Sequence, residues 1–283
     1  MHRVRQLDAG WRIHSLLSVS VLASGSSGNA IYISTEQTRL LLDAGISGKQ
    51  ISQRLATACQ VDGSQITAVL VTHEHVDHVR GLKQILKLSQ APLYTTEGTY
   101  AEIVSGISGN HIHKVVRAGE VFSIGDIRIT PFAVSHDAEE PVAYRFDSGD
   151  ESLAVVTDLG FVSDSIKDVI AGCDTYVFES NHDVEMLRAG PYPWSIKRRI
   201  LGDKGHLSNT DAAEALIDII GQQEVKVYLA HLSEENNQPD LADLTVSSIL
   251  QEARSTYQEQ VSLLRTSRYE PTILTPVSAK CNA

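Results

Sequence analysis

The strongest signal for chemistry is the run HEHVDH at residues 73–78, which directly follows the apolar run 68–72. It combines three imidazoles with a carboxylate, and divalent cations such as zinc prefer nitrogen and oxygen ligands of these kinds. A polar loop with incidental histidines is the alternative, but histidine is uncommon and this spacing is demanding. The run therefore predicts a metal-binding turn at the end of a strand.

Three more candidate ligands, His136, Asp158 and His231, each follow another predicted strand. Open α/β architectures place their sites at such strand ends. A lone histidine there is usually a satisfied surface residue. Three suitable residues at three strand ends, beside the run at 73–78, instead predict ligands that converge on metal. The histidines without such partners, interpreted as surface residues, are His2, His14, His111 and His113.

The segment 186–206 differs in charge from the rest of the chain, whose formal net charge is −11. Five basic residues and one acidic residue give it a charge of +4. It also contains Tyr192 and Trp194, and cations combined with aromatic side chains suit phosphate contact and base stacking. We predict that Trp194, Arg198 and Arg199 bind a polyanionic substrate. The alternative is a solvated amphipathic helix with a packed tryptophan.

A glycine-rich loop at 24–29 joins the first two predicted strands. Successive backbone amides in such a loop can hold a phosphate, which makes Ser26 and Asn29 candidate substrate-binding residues. A simple turn between two strands explains the same residues equally well.

The elements that must position these residues form a β-rich first half and a second half in which helices and strands alternate. We predict a single α/β domain (α+β in some classifications) over residues 18–283, with two mixed sheets covered by outer helices, and an N-terminal extension at 1–17. The predicted strands are 18–23, 30–34, 39–43, 68–72, 93–95, 121–124, 127–134, 142–146, 153–157, 175–179, 226–230, 262–265 and 272–275. The predicted helices are 49–58, 79–89, 163–171, 195–201, 210–221 and 240–257.

Composition limits the class of protein. The 283 residues are 42% hydrophobic and 21% charged, which is typical of globular proteins and excludes a polybasic nucleic-acid coat. Cys59, Cys173 and Cys281 share no short spacing, which favours a reducing, cytoplasmic location over a disulfide framework. No apolar run has the roughly 18 residues that a membrane span needs, so no membrane partner is expected.

From about residue 18 onward the chain resembles the metallo-β-lactamase-fold hydrolases, which are four-layer αβ/βα sandwiches. The run at 73–78 matches the second motif of that family, Asp43 in LLDAG matches the first, and the three later candidates match the third to fifth. The resemblance implies two divalent cations, Zn²⁺ or Mn²⁺, and a carboxylate at Asp43 that orients a ligand. The implied ligands are His73, His75 and His136 for one cation, Asp77, His78 and His231 for the other, and Asp158 between them.

Other runs are similar to the WalJ (YycJ) subgroup of this fold: ASGSSGN at 23–29, ESNHD at 179–183, YPWSIKRRI at 192–200, GHLSN at 205–209 and HLSEENN at 231–237. This resemblance implies a metal-dependent DNA exonuclease that attacks from the 5′ end and is linked to mismatch repair. It makes Ser208 and Asn209 candidate substrate-binding residues and His182 a candidate supporting residue.

Hydrolysis of a phosphodiester at such a site requires a proton for the leaving sugar oxygen. His206 is the candidate donor, because a histidine in the matching Gly-His-x-Ser position has this role in the phosphodiesterase branch of the fold. Glu179 would hold that imidazole in its charged form, and Asp77 would help to orient the nucleophile. The alternative is that residues 205–206 form a turn and residues 209–211 cap the next helix.

Other functions stay open from the sequence. A small thioester or lactone hydrolase of the same fold would not need His206, Glu179 or a basic aromatic segment. A regulatory protein that keeps its metals only for stability would be expected to lack a ligand, and none of the seven is missing. The di-iron branch is disfavoured, because His75 stands where it requires glutamate. An RNA-processing nuclease is the remaining alternative.

Overall fold

Two mixed β-sheets lie face to face in the structure, a computed structural model that describes residues 16–107, 109 and 111–278. The first sheet contains β1 (Ser18–Ala23), β2 (Ala30–Ser34), β3 (Arg39–Leu42), β4 (Ala68–Leu70), β5 (Leu93–Thr95), β6 (His113–Val115) and β14 (Thr275–Pro276). Its order is β14-β1-β2-β3-β4-β5-β6, and β3 to β6 run parallel to one another. Their carboxyl ends therefore meet at one edge.

The second sheet contains β7 (Phe122–Ile124), β8 (Ile127–Ala133), β9 (Val142–Ser148), β10 (Glu151–Val156), β11 (Thr175–Glu179), β12 (Val225–Ala230) and β13 (Val261–Arg265). Its order is β13-β12-β11-β10-β9-β8-β7. β10 to β13 are parallel, whereas the neighbouring pairs β7–β8, β8–β9 and β9–β10 are antiparallel. The parallel part again brings several carboxyl ends together.

Helices cover the outer face of each sheet. They are α1 (Gly48–Arg54), α2 (Val76–Val79), α3 (Leu82–Ser89), α4 (Glu97–Ile103), α5 (Asp164–Ile170), α6 (Val184–Ala189), α7 (Trp194–Ile200), α8 (Asn209–Ile219), α9 (Pro239–Ala253) and α10 (Tyr257–Gln260). A π-turn, Leu55–Cys59, continues α1, and a 3₁₀ turn spans Gly63–Gln65. Within the described residues no helix has the length and apolar character needed to cross a membrane.

Three apolar layers follow from the two-residue period of the strands. Alternate residues of β2 point to opposite faces, so that Ile31 and Ile33 pack between the sheets while Tyr32 packs outward against α1 and α3. On the far side, α5, α8 and α9 pack on the second sheet. Both faces of the central strands are therefore buried, which explains their nearly continuous apolar sequences. The predicted four-layer sandwich with two mixed sheets is confirmed.

The predicted strands and helices are found with small shifts of their ends, but five short elements were not predicted: α2, α4, β6, α6 and α10. Each has only three to seven residues, too few for a clear periodicity. The predicted helix 240–257 ends earlier, at Ala253, and the predicted strand 272–275 is reduced to Thr275–Pro276. The predicted extension 1–17 lies outside the described residues except for Leu16 and Leu17, and the single domain over 18–283 stays a prediction.

Candidate active site

The sharp turns that follow strands β3, β10 and β12 present Asp43, Asp158 and His231. All three have a left-handed backbone, with φ of 60°, 61° and 56°. Non-glycine residues in this region carry a cost of about 1 kcal/mol or more, and Asp, Asn and His are the types that adopt it most readily. Buried hydrogen bonds hold the turns, among them Asp43 N–H to Leu70 O at 2.8 Å and His231 N–H to Ser24 Oγ at 2.7 Å. The site therefore maintains local backbone strain.

The first group of converging donors is His73, His75 and His136, whose ligand atoms all lie within 4.8 Å of one another. Nδ1 of His75 is 3.3 Å from Nε2 of His136. Donors at roughly 2.0–2.2 Å from one tetrahedral ion have separations of this order. Burial lowers the pKa of His73 well below its usual range, so that this imidazole is neutral and can donate its lone pair.

The second group is Asp77, His78 and His231. Oδ2 of Asp77 lies 3.7 Å from Nε2 of His78 and 3.7 Å from Nε2 of His231. Asp158 lies between the two groups, because its Oδ2 is 3.3 Å from Nε2 of His78 and it also converges with His73. All seven residues predicted as ligands are thus brought together.

Among the residues that the structure describes, three of these donors find no hydrogen-bond partner although they are buried: Nε2 of His73, Nε2 of His231 and Oδ2 of Asp158. An unpaired buried polar atom carries a desolvation cost of about 1–3 kcal/mol. A cation between these atoms would remove that cost. The donor set of five imidazoles and two carboxylates therefore fits two divalent cations.

Partners on the other side of the ligand rings fix their orientation. Nδ1 of His78 donates to Oδ2 of Asp43 over 2.8 Å, and Asp43 in turn accepts from the backbone N–H of Thr72 at 2.9 Å. Nδ1 of His136 donates to the carbonyl of Gly205 over 3.3 Å. Each bond leaves Nε2 as the lone-pair nitrogen that faces the cation site.

Glu179 links the ligand set to the candidate proton donor. Its Oε1 accepts from Nδ1 of His206 at 2.8 Å and from Nδ1 of His231 at 2.9 Å, while Oε2 accepts from the backbone N–H groups of Leu159 and Leu207. Burial raises the pKa of this carboxyl, but His206 and His231 outweigh that effect and lower the pKa to about 2. The carboxylate therefore stays charged, and His206 retains Nε2 for the cleft.

A cleft of about 240 Å³ opens over these residues. Besides the ligands it is lined by Ser26, Asp137, Tyr192, Arg199 and His206. The guanidinium of Arg199 lies 3.3 Å from Oδ2 of Asp137 and is largely exposed. The wall formed by α7 thus places the cationic side chain of Arg199 at the cleft, and its role in substrate binding stays a prediction.

The other predicted substrate-binding residues are distributed differently. Ser26 lines the cleft, whereas Asn29 lies beneath it, with Nδ2 3.1 Å from Nε2 of His78. Trp194, 60% exposed, and Arg198 lie on α7 but do not line the cleft. Ser208 and Asn209 are buried. Ser208 caps α8, and Asn209 hydrogen-bonds within the protein to Ser180 and Asn237.

Three sequence interpretations need correction or qualification. Lys197, one of the five basic residues counted in the segment 186–206, is not a surface cation, because its side chain is buried and its ammonium donates to the carbonyls of Arg188 and Gly190. His113 is not a free surface residue, since its ring stacks on Tyr100 at a centroid distance of 3.7 Å. His182 is buried, and within the described part of the chain neither of its ring nitrogens has a hydrogen-bond partner, so it makes no hydrogen bond to a candidate ligand. His2 and His14 lie outside the described residues.

Sequence reasoning did not single out Asp137 or Thr72. Asp137 is 3.4 Å from Nε2 of His136 as well as being the partner of Arg199. The hydroxyl of Thr72 lies 3.0 Å from Oδ2 of Asp43. Both residues directly precede or follow a predicted ligand, which is the signal that could have found them. The link from Glu179 to His231 depends on the pairing of β11 with β12, which no local motif contains.

Comparison with known proteins gives a consistent result. A model of the beta-lactamase superfamily domain matches residues 38–231. The exodeoxyribonuclease YycJ of Bacillus anthracis is 47% identical over 238 residues, which cover 83% of this chain and 90% of that protein. The exodeoxyribonuclease WalJ of Streptococcus pneumoniae (serotype 2, strain D39) is 43% identical over 239 residues, 83% of this chain and 88% of that protein.

Among solved structures, the metallo-beta-lactamase fold protein YhfI from Bacillus subtilis superposes with a TM-score of 0.67 at 17% identity. The superposition covers 89% of this chain and 98% of that one. At this level of identity the likeness concerns the fold, and it matches the two-sheet sandwich described above.

Proposed function

Because this chain belongs to the beta-lactamase superfamily and, within it, to the family of the exodeoxyribonucleases YycJ and WalJ, we propose that it is a two-metal exodeoxyribonuclease that degrades DNA from the 5′ end. The observation that carries the proposal is the Glu179–His206 pair beside the ligand cluster. Other ester hydrolyses of this fold do not need such a proton donor. The high identity to two exodeoxyribonucleases supports DNA as the substrate.

Divalent cations, when bound, would polarise the phosphodiester and activate water. His73, His75 and His136 would hold one cation and Asp77, His78 and His231 the other, with Asp158 shared. Nitrogen-rich sites suit Zn²⁺, and Mn²⁺ also accepts imidazole and carboxylate, so both ions belong in the tests. Asp43 and Gly205 keep the ligand rings in their binding orientation.

His206 would supply the proton that the leaving group needs. As water adds to phosphorus, the bond from phosphorus to the 3′-oxygen of the terminal nucleotide breaks, and Nε2 of His206 protonates that oxygen. The shortened strand keeps the phosphate at its new 5′ end. Glu179 stabilises the charged imidazole before transfer and remains ionised throughout, because its oxygens accept four hydrogen bonds.

The wall of the cleft supports a polyanionic substrate. Arg199 lines the cleft, and Arg198 and the exposed ring of Trp194 lie on the same helix. An arginine with an exposed aromatic side chain beside it can contact a phosphate and stack a base. DNA as substrate and the free thiols of Cys59 and Cys173 both favour a cytoplasmic location.

The test is a nuclease assay on 5′-labelled single- and double-stranded DNA and RNA, with Mn²⁺ and Zn²⁺ compared. We expect the label to appear first as a mononucleotide, with DNA preferred and with all activity lost after chelation. Preferred cleavage of RNA would identify an RNA-processing enzyme instead. Hydrolysis of thioesters or lactones without any cleavage of nucleic acid would overturn the proposal.

A further inference from the structure

A second groove adjoins the catalytic cleft and has no role in the mechanism above. Its volume is about 430 Å³, and its polar and aromatic lining consists of Ser135, His136, Glu139, Phe161, Ser163 and Lys204. Sites for small ligands typically have about 300–1,000 Å³, so one nucleotide is of suitable size. His136 lines both the groove and the cleft, so the two spaces lie on either side of this ring.

Two side chains of this groove lack an internal explanation. Phe161 is 46% exposed, although an aromatic ring is normally buried, and it lies three residues after Asp158. Lys204 is exposed, and no ion pair of its ammonium is found within the described ranges. An aromatic face next to an unpaired cation matches the two parts of a nucleotide, its base and its phosphate.

The groove lies on the leaving-group side of the site. Lys204 precedes the proton donor His206 by two residues, and the carbonyl of Gly205 between them accepts a hydrogen bond from Nδ1 of His136. The rings of His136 and His206 are 5.2 Å apart. A group that receives its proton from His206 therefore departs next to this groove.

The backbone keeps the two walls together. Gly160 N–H donates to the carbonyl of Ser135 at 3.0 Å, and a Cβ atom at Gly160 would lie 2.3 Å from the carbonyl group of Asp203. The loop that carries Phe161 and the loop that carries Lys204 are thus in direct backbone contact. The groove is preformed, so that a ligand would not have to order it.

We propose that this groove binds the 5′-terminal nucleotide of the strand, with its base on Phe161 and its 5′-phosphate on Lys204. This inference rests on the proposed function and specifies how the strand end is recognised. The groove has one lysine and one glutamate among its lining residues, a balance that suits a single nucleotide better than a continuous polyanion. A site for one nucleotide beyond the scissile bond makes cleavage exonucleolytic and dependent on a 5′ end.

Two measurements test the proposal with the metal-loaded protein. Titration calorimetry compares the binding of deoxyadenosine 5′-monophosphate and deoxyadenosine to the wild type, Phe161→Ala and Lys204→Ala. Loss of stacking should weaken both ligands about 10-fold or more in Phe161→Ala. Lys204→Ala should weaken only the monophosphate. Phe161→Tyr should restore binding, and Lys87→Ala, an exposed lysine on α3 at the first sheet, is the matched control.

The second measurement is kcat/KM on oligonucleotides with a 5′-phosphate or a 5′-hydroxyl, and on bis-p-nitrophenyl phosphate. We expect Lys204→Ala to abolish the preference for the 5′-phosphate and Phe161→Ala to lower both oligonucleotide rates about 10-fold. Hydrolysis of the small ester should be unchanged in both. If Phe161→Ala and Lys204→Ala lose activity equally on all three substrates, the groove assignment is overturned. It is also overturned if nucleotide binding and the 5′-phosphate preference of these two variants equal those of Lys87→Ala.

The two proposals can fail separately. If the wild type cleaves no DNA but its nucleotide binding still depends on Phe161 and Lys204, the nuclease function is wrong while the nucleotide groove stands. If the wild type degrades DNA but neither variant changes nucleotide binding, the groove is wrong while the nuclease function stands.

Discussion

Oε1 of Glu179, whose side chain is fully buried, lies 2.8 Å from Nδ1 of His206. Because the same oxygen also accepts from His231 at 2.9 Å, one carboxylate orients both a candidate ligand and the candidate proton donor. Protonation of the leaving group and binding of one cation therefore both depend on the carboxylate of Glu179. Substitutions at His206 and at Glu179 should separate these effects.

Replacing His206 with alanine should reduce turnover of DNA without emptying the cation sites. Loss of a general acid costs about 10²–10⁴-fold in kcat. The effect should shrink on bis-p-nitrophenyl phosphate, because nitrophenolate leaves without a proton. Metal analysis by mass spectrometry and kcat on both substrates check this. Equal damage on both substrates, or loss of metal, would show that His206 has a structural or phosphate-binding role.

Replacing Glu179 with glutamine should impair both functions at once. A neutral amide cannot hold the imidazole of His206 in its charged form, and it weakens the orientation of His231. Changes to the partner of a ligand histidine typically cost 10–100-fold in metal affinity or activity, so we expect about that loss of affinity for one of two cations. Competition with a chromogenic chelator measures it. Unchanged affinity in Glu179→Gln would contradict the shared role.

The exposed arginines of α7 should contribute more to DNA binding than to the rate of the chemical step. The binding assay uses a His206→Ala background, because that substitution limits turnover of the DNA. In this background the double substitution of Arg198 and Arg199 by alanine should weaken the binding of single-stranded DNA. It should also flatten the dependence of log K on log salt by about 0.7 per lost phosphate contact. Fluorescence anisotropy at several salt concentrations measures both, with Lys114→Ala on β6 as the control. If the double variant and the Lys114→Ala control show the same slope of log K against log salt, this helix face does not contact the strand.

His182 should make the stability of the protein depend on pH. Burial lowers its pKa to about 4, below the value of about 6.5 expected for an unfolded chain. Its neutral form therefore favours folding, and this contribution is complete above about pH 6.5 and lost as the pH falls toward 4. Over that range the metal-free wild type should lose about 3 kcal/mol more than His182→Leu. Urea unfolding at several pH values measures the difference. If the free energy of unfolding falls equally with pH in the wild type and in His182→Leu, the prediction is refuted.

Much of the site was predictable because its ligands are local to strand ends. The run at 73–78 gives four ligands within one turn, and His136, Asp158 and His231 each follow a strand that its apolar sequence reveals. Parallel strands bring such ends together in any open sheet. The assignment of His206 came from resemblance, and its 2.8 Å bond to Glu179 is the geometry that this assignment requires.

What the sequence could not supply depends on packing between distant segments. Lys197 reads as a surface cation by composition, yet the C-terminal end of α6 provides two carbonyl acceptors for its ammonium, at Arg188 and Gly190. Helices α4 and α6 are held by the side-chain caps Thr96 and Asp183 rather than by a long apolar pattern. The two loops that carry Phe161 and Lys204 approach each other closely at Gly160, where a Cβ atom would clash with the backbone of Asp203.

The left-handed backbone at Asp43, Asp158 and His231 limits how this centre can be re-engineered. Attempts to change the metal preference of a protein usually exchange ligand types, for example aspartate for glutamate or histidine for cysteine. At these three positions the choice is restricted first by φ, because few side chains besides Asp, Asn, His and Gly tolerate it. Ligand exchange is therefore better attempted at His73, His75 or His136, where φ is not positive.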